Sequence, residues 1–473
     1  MALITNEIVT PAPREAESAL PLAEARPWVC RPEIAPHVRR EGDGLCCESN
    51  GSEGCYGGWE LVFRGPWPAE RLNIELVAEG EGLPRGADAL VAEAFWYESA
   101  DLEGEQIEWD PLFVVEAAAR DTIGATGGAR EHLRVGYANT LRVPPGAAEL
   151  RVRCGLRWAD RGRARWHGWR LDAAPPAPPH RRLRLGAASA QPPAGADQAG
   201  LIAFFAEQCR RAGEAGLDLV CLPELILSYG IARTPQAVHA AALPIPGAWM
   251  APFQDVARRY RMGICFSVHE RAGRHGETIY NTAVLFGRDG ELIGTYRKVH
   301  LALAEARNGV AAGHEFPVFD FDGVTVGLAI CMDSTPLETA RLLARCGAEV
   351  LLMPIMGDFR ATPWKGGNGR FHQERWEAIQ RAHALDNHLF VVAARNTTRG
   401  SAVTAPWGEI LAWDDGDRGL VWADVDVDDV RSHPRGSTIH SVIWSMRRPT
   451  VYSDLADPVP YASAPAAAHR AAR

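Results

Sequence analysis

The chain has 473 residues, 47% of them hydrophobic, and a formal net charge of −9 with a pI near 6.0. That length suggests two or three domains with full-sized cores, and the acidic balance argues against a nucleic-acid or anionic-membrane surface. No apolar run approaches the roughly 18 residues of a membrane span, no basic leader opens the chain, and the ten cysteines are scattered rather than framed as a disulfide scaffold. A cytoplasmic protein with no nucleic-acid or membrane partner is expected.

Residues 1–35 lack periodicity and are expected to form an extended arm. From 36 to 172 short strands alternate with turn signals, as in Trp59–Phe63, Leu72–Val77, Ala89–Trp96 and Leu112–Val115. The clearest strand runs from Ala148 to Trp158. It places Leu150, Val152, Cys154, Leu156 and Trp158 on one face and Arg151, Arg153 and Arg157 on the other. An antiparallel β-sandwich of jelly-roll type is predicted here. Eight of the fifteen tryptophans fall in this first part, where they either fill a small core or stack on sugar rings. Cys46, Cys47 and Cys55 read as thiols of a surface loop, without zinc-ligand spacing.

Residues 173–182 are proline-rich and predict a semi-rigid linker. Beyond it the rhythm becomes strand–helix, predicting an α/β domain over 183–455 and a loose tail over 456–473. Predicted strands include 183–190, 217–222, 263–268, 282–286, 291–296, 350–353 and 389–394. Predicted helices span 197–215, 252–261, 335–346 (capped by Ser334 or Thr335) and 374–387. Two hairpin-like strands follow near 401–412 and 419–427. His269 and His275 read as hairpin residues.

Three reactive groups stand at predicted strand ends: Glu224 after Leu217–Leu222, Lys298 after Glu291–Tyr296, and Cys331 after Val324–Ile330. Strand ends of an α/β sheet converge on one edge, where sites are built. The trio matches the needs of thiol acyl transfer. A carboxylate takes the thiol proton, the thiolate attacks a carbonyl or nitrile carbon, and an ammonium with a backbone N–H stabilises the oxyanion. Each residue also has a plain structural reading as cap, surface cation or core thiol.

The ordered segments Leu222-Pro223-Glu224-Leu225, Tyr296-Arg297-Lys298-Val299-His300-Leu301 and Gly327-Leu328-Ala329-Ile330-Cys331-Met332-Asp333 resemble the nitrilase (carbon–nitrogen hydrolase) superfamily. Tyr280–Ala283, Ala348–Pro354 and Arg381–Ala394 agree, so the resemblance covers roughly 183–430. It implies an α-β-β-α sandwich, subunits that pair as homodimers or higher homo-oligomers through a helical layer, and hydrolysis without a cofactor or metal. By the same resemblance Cys331 is the nucleophile, Glu224 the general base and Lys298 the oxyanion cation. Glu305 resembles the auxiliary glutamate that positions substrate, although Ala302–Asn308 is unlike the usual family loop. The Met332 N–H joins the oxyanion site, and Met332 replaces the family's usual aromatic residue in the pocket wall. Asp333 follows the amide-cleaving pattern, so amide or N-carbamoyl substrates are expected over nitriles. N-acyl transfer and a silent scaffold on the same fold are the other readings. The glycine-rich segment 357–370, with Arg360, Lys365 and Arg370, is expected to border the pocket.

Overall fold

The computed structural model describes residues 20–84, 86–99, 105–123, 129–176, 181–356, 371–396, 400–416 and 419–430. They fall into two compact units, one before residue 179 and one within Pro179–His433. The segment 357–370 and the tail 456–473 lie outside the described residues.

The first unit contains β1 (Glu24–Val29), β2 (His37–Glu41), β3 (Gly44–Glu48), β4 (Tyr56–Arg64), β5 (Arg71–Glu81) and β6 (Leu90–Tyr97). After these come β7 (Gln106–Pro111), β8 (Phe113–Ile123), β9 (Ala129–Arg142), β10 (Glu149–Arg157) and β11 (Arg163–Ala173). They form two antiparallel sheets, ordered β1-β4-β10-β6-β7 and β2-β3-β11-β5-β9-β8. Leu150, Val152, Cys154 and Leu156 of β10 are buried with Leu72, Ile74 and Leu76 of β5 in one core. This is the sandwich that the period-two pattern predicts, because β4, β5 and β10 send alternate side chains into that core.

Three local readings change. Part of the expected arm is the edge strand β1, paired with β4. Trp158 lies past the end of β10 in a left-handed conformation, φ 53°, so it leaves the face expected for it. Cys46 and Cys47 are strand residues of β3 rather than loop thiols, and Cys46, Cys47 and Cys55 are buried and unbridged. Trp59, Trp96 and Trp166 are buried, as the core reading requires.

The second unit begins with β12 (Arg182–Ala188), α1 (Gln198–Glu214), β13 (Leu219–Cys221), α2 (Pro235–Ala241), α3 (Ala251–Tyr260), β14 (Gly263–Ala272), β15 (Thr278–Phe286) and β16 (Leu292–Arg297). It continues with α4 (Leu303–Arg307), β17 (Val310–Ala311), β18 (Val318–Phe321), β19 (Val324–Leu328), α5 (Leu337–Arg345), β20 (Val350–Ile355), α6 (Phe371–Asn387), β21 (Phe390–Arg395), β22 (Ala402–Thr404), β23 (Ile410–Trp413) and β24 (Leu420–Asp426). One sheet runs β16-β15-β14-β13-β12-β24, with β17 beside β15, and the other runs β18-β19-β20-β21-β22-β23. Leu185, Leu219, Cys265 and Leu285 of the first sheet meet Val326, Leu328, Leu352 and Val392 of the second in a shared apolar layer. The opposite face of the first sheet is covered by α1 and α3, through Leu201, Phe205, Cys209, Phe253 and Ala257. With α5 and α6 against the second sheet the layers are α-β-β-α. Asp197 caps α1 by accepting from the Gly200 N–H at 2.8 Å, which explains the sharp start of that helix.

Two expectations in this unit need correction. The helix expected over 335–346 starts at Leu337 behind Pro336, with no side-chain cap; the Thr335 hydroxyl points to the Met332 sulfur instead. Proline at the boundary supplies the stop that capping was expected to supply. The strand near 419–427 does not extend the hairpin. β22 and β23 pair with each other, while β24 crosses to the other sheet and pairs antiparallel with β12, where Val421 and Val425 reach the shared apolar layer. Among the described residues no helix is long and apolar enough to cross a membrane.

Candidate active site

Parallel pairing of β12, β13 and β14 in one sheet, and of β19, β20 and β21 in the other, brings their carboxyl ends to one side. Glu224 lies three residues past β13. Its side chain is buried, and three protein donors hold it. Oε1 accepts from Lys298 Nζ at 2.7 Å and Asn281 Nδ2 at 2.8 Å. Oε2 accepts from the Met356 N–H at 2.7 Å, and Met356 is the residue after β20. The turn behind Glu224 is fixed by β14: Ser267 Oγ accepts from the Leu225 N–H at 2.9 Å, and Ser228 Oγ meets His269 Nδ1 at 2.9 Å.

Lys298 follows β16 and is 1% exposed. Besides Glu224 it donates to Glu305 Oε2 at 2.6 Å, which leaves one of its three N–H bonds without a partner among the described residues. Burial works against the ammonium, but the charges of Glu224, Cys331 and Glu305 outweigh it and raise the lysine above its ordinary value. Its neighbour Arg297 points the other way, onto Glu270 at 2.7 and 2.9 Å, as strand alternation requires. Glu305, on α4, also accepts from the Ala302 N–H at 2.9 Å and from Asn281 Nδ2 at 2.7 Å.

Cys331 does not close a strand as expected. β19 stops at Leu328, and Cys331 opens a tight turn with φ 43°, a left-handed conformation that costs a β-carbon residue energy. Asp333 holds this turn. Its Oδ2 accepts from the Ile330 N–H at 2.9 Å and the Tyr296 hydroxyl at 2.8 Å. Its Oδ1 accepts from the His300 N–H at 2.8 Å and meets His300 Nδ1 at 2.9 Å. One buried carboxylate thus ties the cysteine turn to the lysine loop. The Cys331 thiol lies 3.7 Å from the Met356 carbonyl oxygen. Burial, followed by the charge of Glu224, pushes it well above the ordinary thiol value, with a hydrogen bond to Glu224 adding and Lys298 pulling down.

Glu224, Lys298, Glu305 and Cys331 are therefore brought together. Met332 is not part of that cluster through its side chain, which is 38% exposed with its sulfur 3.3 Å from the Thr335 hydroxyl. Sequence reasoning missed Met356 and the roles of Asn281, Tyr296, His269 and Asp333 as partners. Asn281, Tyr296 and Asp333 lie inside the segments that carry the family resemblance, so a signal for them was present. His269 is a residue of the β14–β15 hairpin, as expected, and it sits buried opposite Asn281.

Two sheets sandwiched between helical layers, with a thiol, two carboxylates and a lysine gathered on one side, place the second unit in the α-β-β-α class of hydrolase folds. The carbon–nitrogen hydrolase family model matches residues 186–435, and the chain belongs to that family, as a nitrilase-superfamily hydrolase carrying an additional N-terminal β-sandwich. Human omega-amidase NIT2 is 32% identical over 240 residues, covering 46% of this chain and 80% of the relative. Human deaminated glutathione amidase is 30% identical over 276 residues, covering 54% and 79%. A carbon–nitrogen hydrolase from Helicobacter pylori has the same fold, with a TM-score of 0.51, 23% identity and coverage of 59% of this chain and 99% of that one.

Proposed function

We propose that this enzyme is a thiol amidase that cleaves the carbon–nitrogen bond of a small non-peptide amide through an acyl-enzyme on Cys331. The observation that carries the reading is the Glu224 carboxylate, fastened by Lys298, Asn281 and the Met356 N–H, while the Cys331 thiol lies against the carbonyl of that same Met356. Glu224 takes the Sγ proton as sulfur bonds to the carbonyl carbon. The uncommitted N–H of Lys298 and the Met332 backbone N–H receive the oxyanion. Collapse breaks the carbon–nitrogen bond, Glu224 passes its proton to the nitrogen, and ammonia leaves. Water then attacks the thioester, giving a proton to Glu224, and the acid departs as the thiol is restored. Glu305 positions the substrate, and Met332 borders the pocket mouth.

The relatives named as amidases support amides over nitriles. N-carbamoyl compounds, which present the same carbonyl and amino leaving group, are the neighbouring substrate class. Ammonia release over a panel of amides, N-carbamoyl compounds and nitriles tests the reading. Turnover of amides that vanishes in Cys331→Ala is expected, and equal rates for the two proteins on every compound would overturn it. We also propose self-association through α5 and α6. A groove of about 540 Å³ between them is lined by Leu337, Ala378, Ile379 and Ala382, and Leu337 is exposed.

A further inference from the structure

Asn281 stands at the centre of the charged cluster, yet thiol chemistry has no direct use for it. Its side chain is fully buried. The single Nδ2 atom gives one N–H to Glu224 Oε1 at 2.8 Å and the other to Glu305 Oε1 at 2.7 Å. The carbonyl Oδ1 is buried and has no hydrogen-bond partner among the described residues. An asparagine retained only to satisfy a buried strand would have its acceptor paired, because an orphaned buried acceptor is costly. Here both donors are used on carboxylates and the acceptor is left idle. The residue is placed for what its amide nitrogen does.

What it does follows from counting lone pairs. Glu224 Oε1 has two, one facing Lys298 Nζ and the other facing Asn281 Nδ2. Neither donor can be replaced by a proton without breaking a charge-assisted bond. Among the described residues Glu224 Oε2 accepts only from the Met356 N–H, so one lone pair remains. The Cys331 thiol lies beside the carbonyl of that same residue, Met356.

We propose that Asn281 is a positioning residue that closes Oε1 of Glu224 to protons, so that the proton of the Cys331 thiol is delivered to Oε2 and returned from there to the leaving nitrogen. The S–H bond breaks as the Oε2–H bond forms, and the same O–H bond breaks when the amine departs. By donating to both glutamates at once, Asn281 fixes Glu224 and Glu305 on either side of Lys298. The groups facing Glu224 are Lys298 after β16, Asn281 on β15, Glu305 on α4, Cys331 after β19 and Met356 after β20; His269 on β14 stands opposite Asn281. The proposal rests on the roles given to Cys331 and Glu224 above.

The test compares wild type with Asn281→Asp and Asn281→Ser, each verified as folded by circular dichroism. Alkylation of Cys331 by iodoacetamide is followed against pH by mass spectrometry, which needs no substrate. The acid limb of that profile reports how readily the thiol proton is taken up by its base. Loss of the Asn281 donor moves it upward by roughly one pH unit, more in Asn281→Asp, where a third carboxylate joins two. With any amide that turns over, kcat falls and its acid limb moves by the same amount, while KM changes less. Folded variants whose limbs superimpose on wild type overturn the proposal, including any that merely lose rate, because a packing role lowers activity without moving an ionisation. Should Asn281→Asp fail to fold, Asn281→Ser decides alone. Shifted alkylation limbs in a protein that hydrolyses none of the panel would uphold the role of Asn281 and reject the amidase reading.

Discussion

Asp333 is the residue whose loss the site would feel most without touching a reacting atom. Its carboxylate is fully buried and receives four bonds from Ile330, Tyr296 and His300. Asp333→Asn keeps the volume but turns an amide N–H₂ toward groups that are themselves donors. A stability loss of about 2–4 kcal/mol in urea unfolding is expected, with kcat falling as the Cys331 turn relaxes. The half-buried thiol makes a second prediction. It resists ionisation, so it becomes nucleophilic only as Glu224 accepts its proton, and Glu224→Gln should slow iodoacetamide alkylation at neutral pH by about 10²-fold or more. His269 makes a third. Burial, with Lys298 adding and Glu305 opposing, lowers it from 6.5 to about 4. Between those values the unfolded chain binds a proton that the folded one refuses, so folding stability falls as pH drops from about 6.5 towards 4, by up to about 3 kcal/mol. Denaturant unfolding at stepped pH should show this slope, and His269→Gln should flatten it. Glu224, Lys298 and Cys331 were readable because each follows an apolar strand in a characteristic segment, whereas Glu305 was readable only by its distance from Lys298. Met356 was not, since it contributes only backbone groups, and Asn281 was marked only as part of a resembling segment, with nothing in the string to show that it joins two carboxylates.

At the scale of elements, alternation and helix periodicity located most strands and helices, and where they failed the cause was a backbone feature that side-chain patterning does not encode. The β10 strand illustrates both sides. Its buried face was legible from Leu150, Val152, Cys154 and Leu156, yet nothing in the pattern announces that Gly155 lies opposite Gly58 on β4. A β-carbon added to Gly155 would stand 2.8 Å from the Gly58 Cα and press on the Gly57 carbonyl. Both obstacles are backbone and cannot rotate away. Gly155→Ala should therefore cost about 1–3 kcal/mol, read as a lowered urea midpoint for the full chain. The 43° φ of Cys331 is the same kind of hidden fact: pairing ends at Leu328, and the two residues between strand and thiol only make sense once Asp333 is seen holding the turn. Helix α5 starts late because Pro336 intervenes, a stop written in the sequence but outweighed there by two plausible caps.

On the scale of the molecule, the apolar groove between α5 and α6 leads to one more expectation. Leu337→Arg should shift the protein to a smaller species in light scattering while leaving its unfolding curve in place. The return of β24 to β12 has a different consequence, one of timing. A chain emerging from the ribosome presents β12 first among the strands of its unit and β24 last. Glu224, Lys298 and Cys331 are all synthesised while one margin of β12 is still an open row of backbone donors and acceptors. Arg184 likewise waits for Asp424, and Arg181 for Asp428. The reactive groups of this enzyme are thus made well before the strand that seals their sheet, and for that interval the nascent chain holds an edge that any other extended segment could occupy.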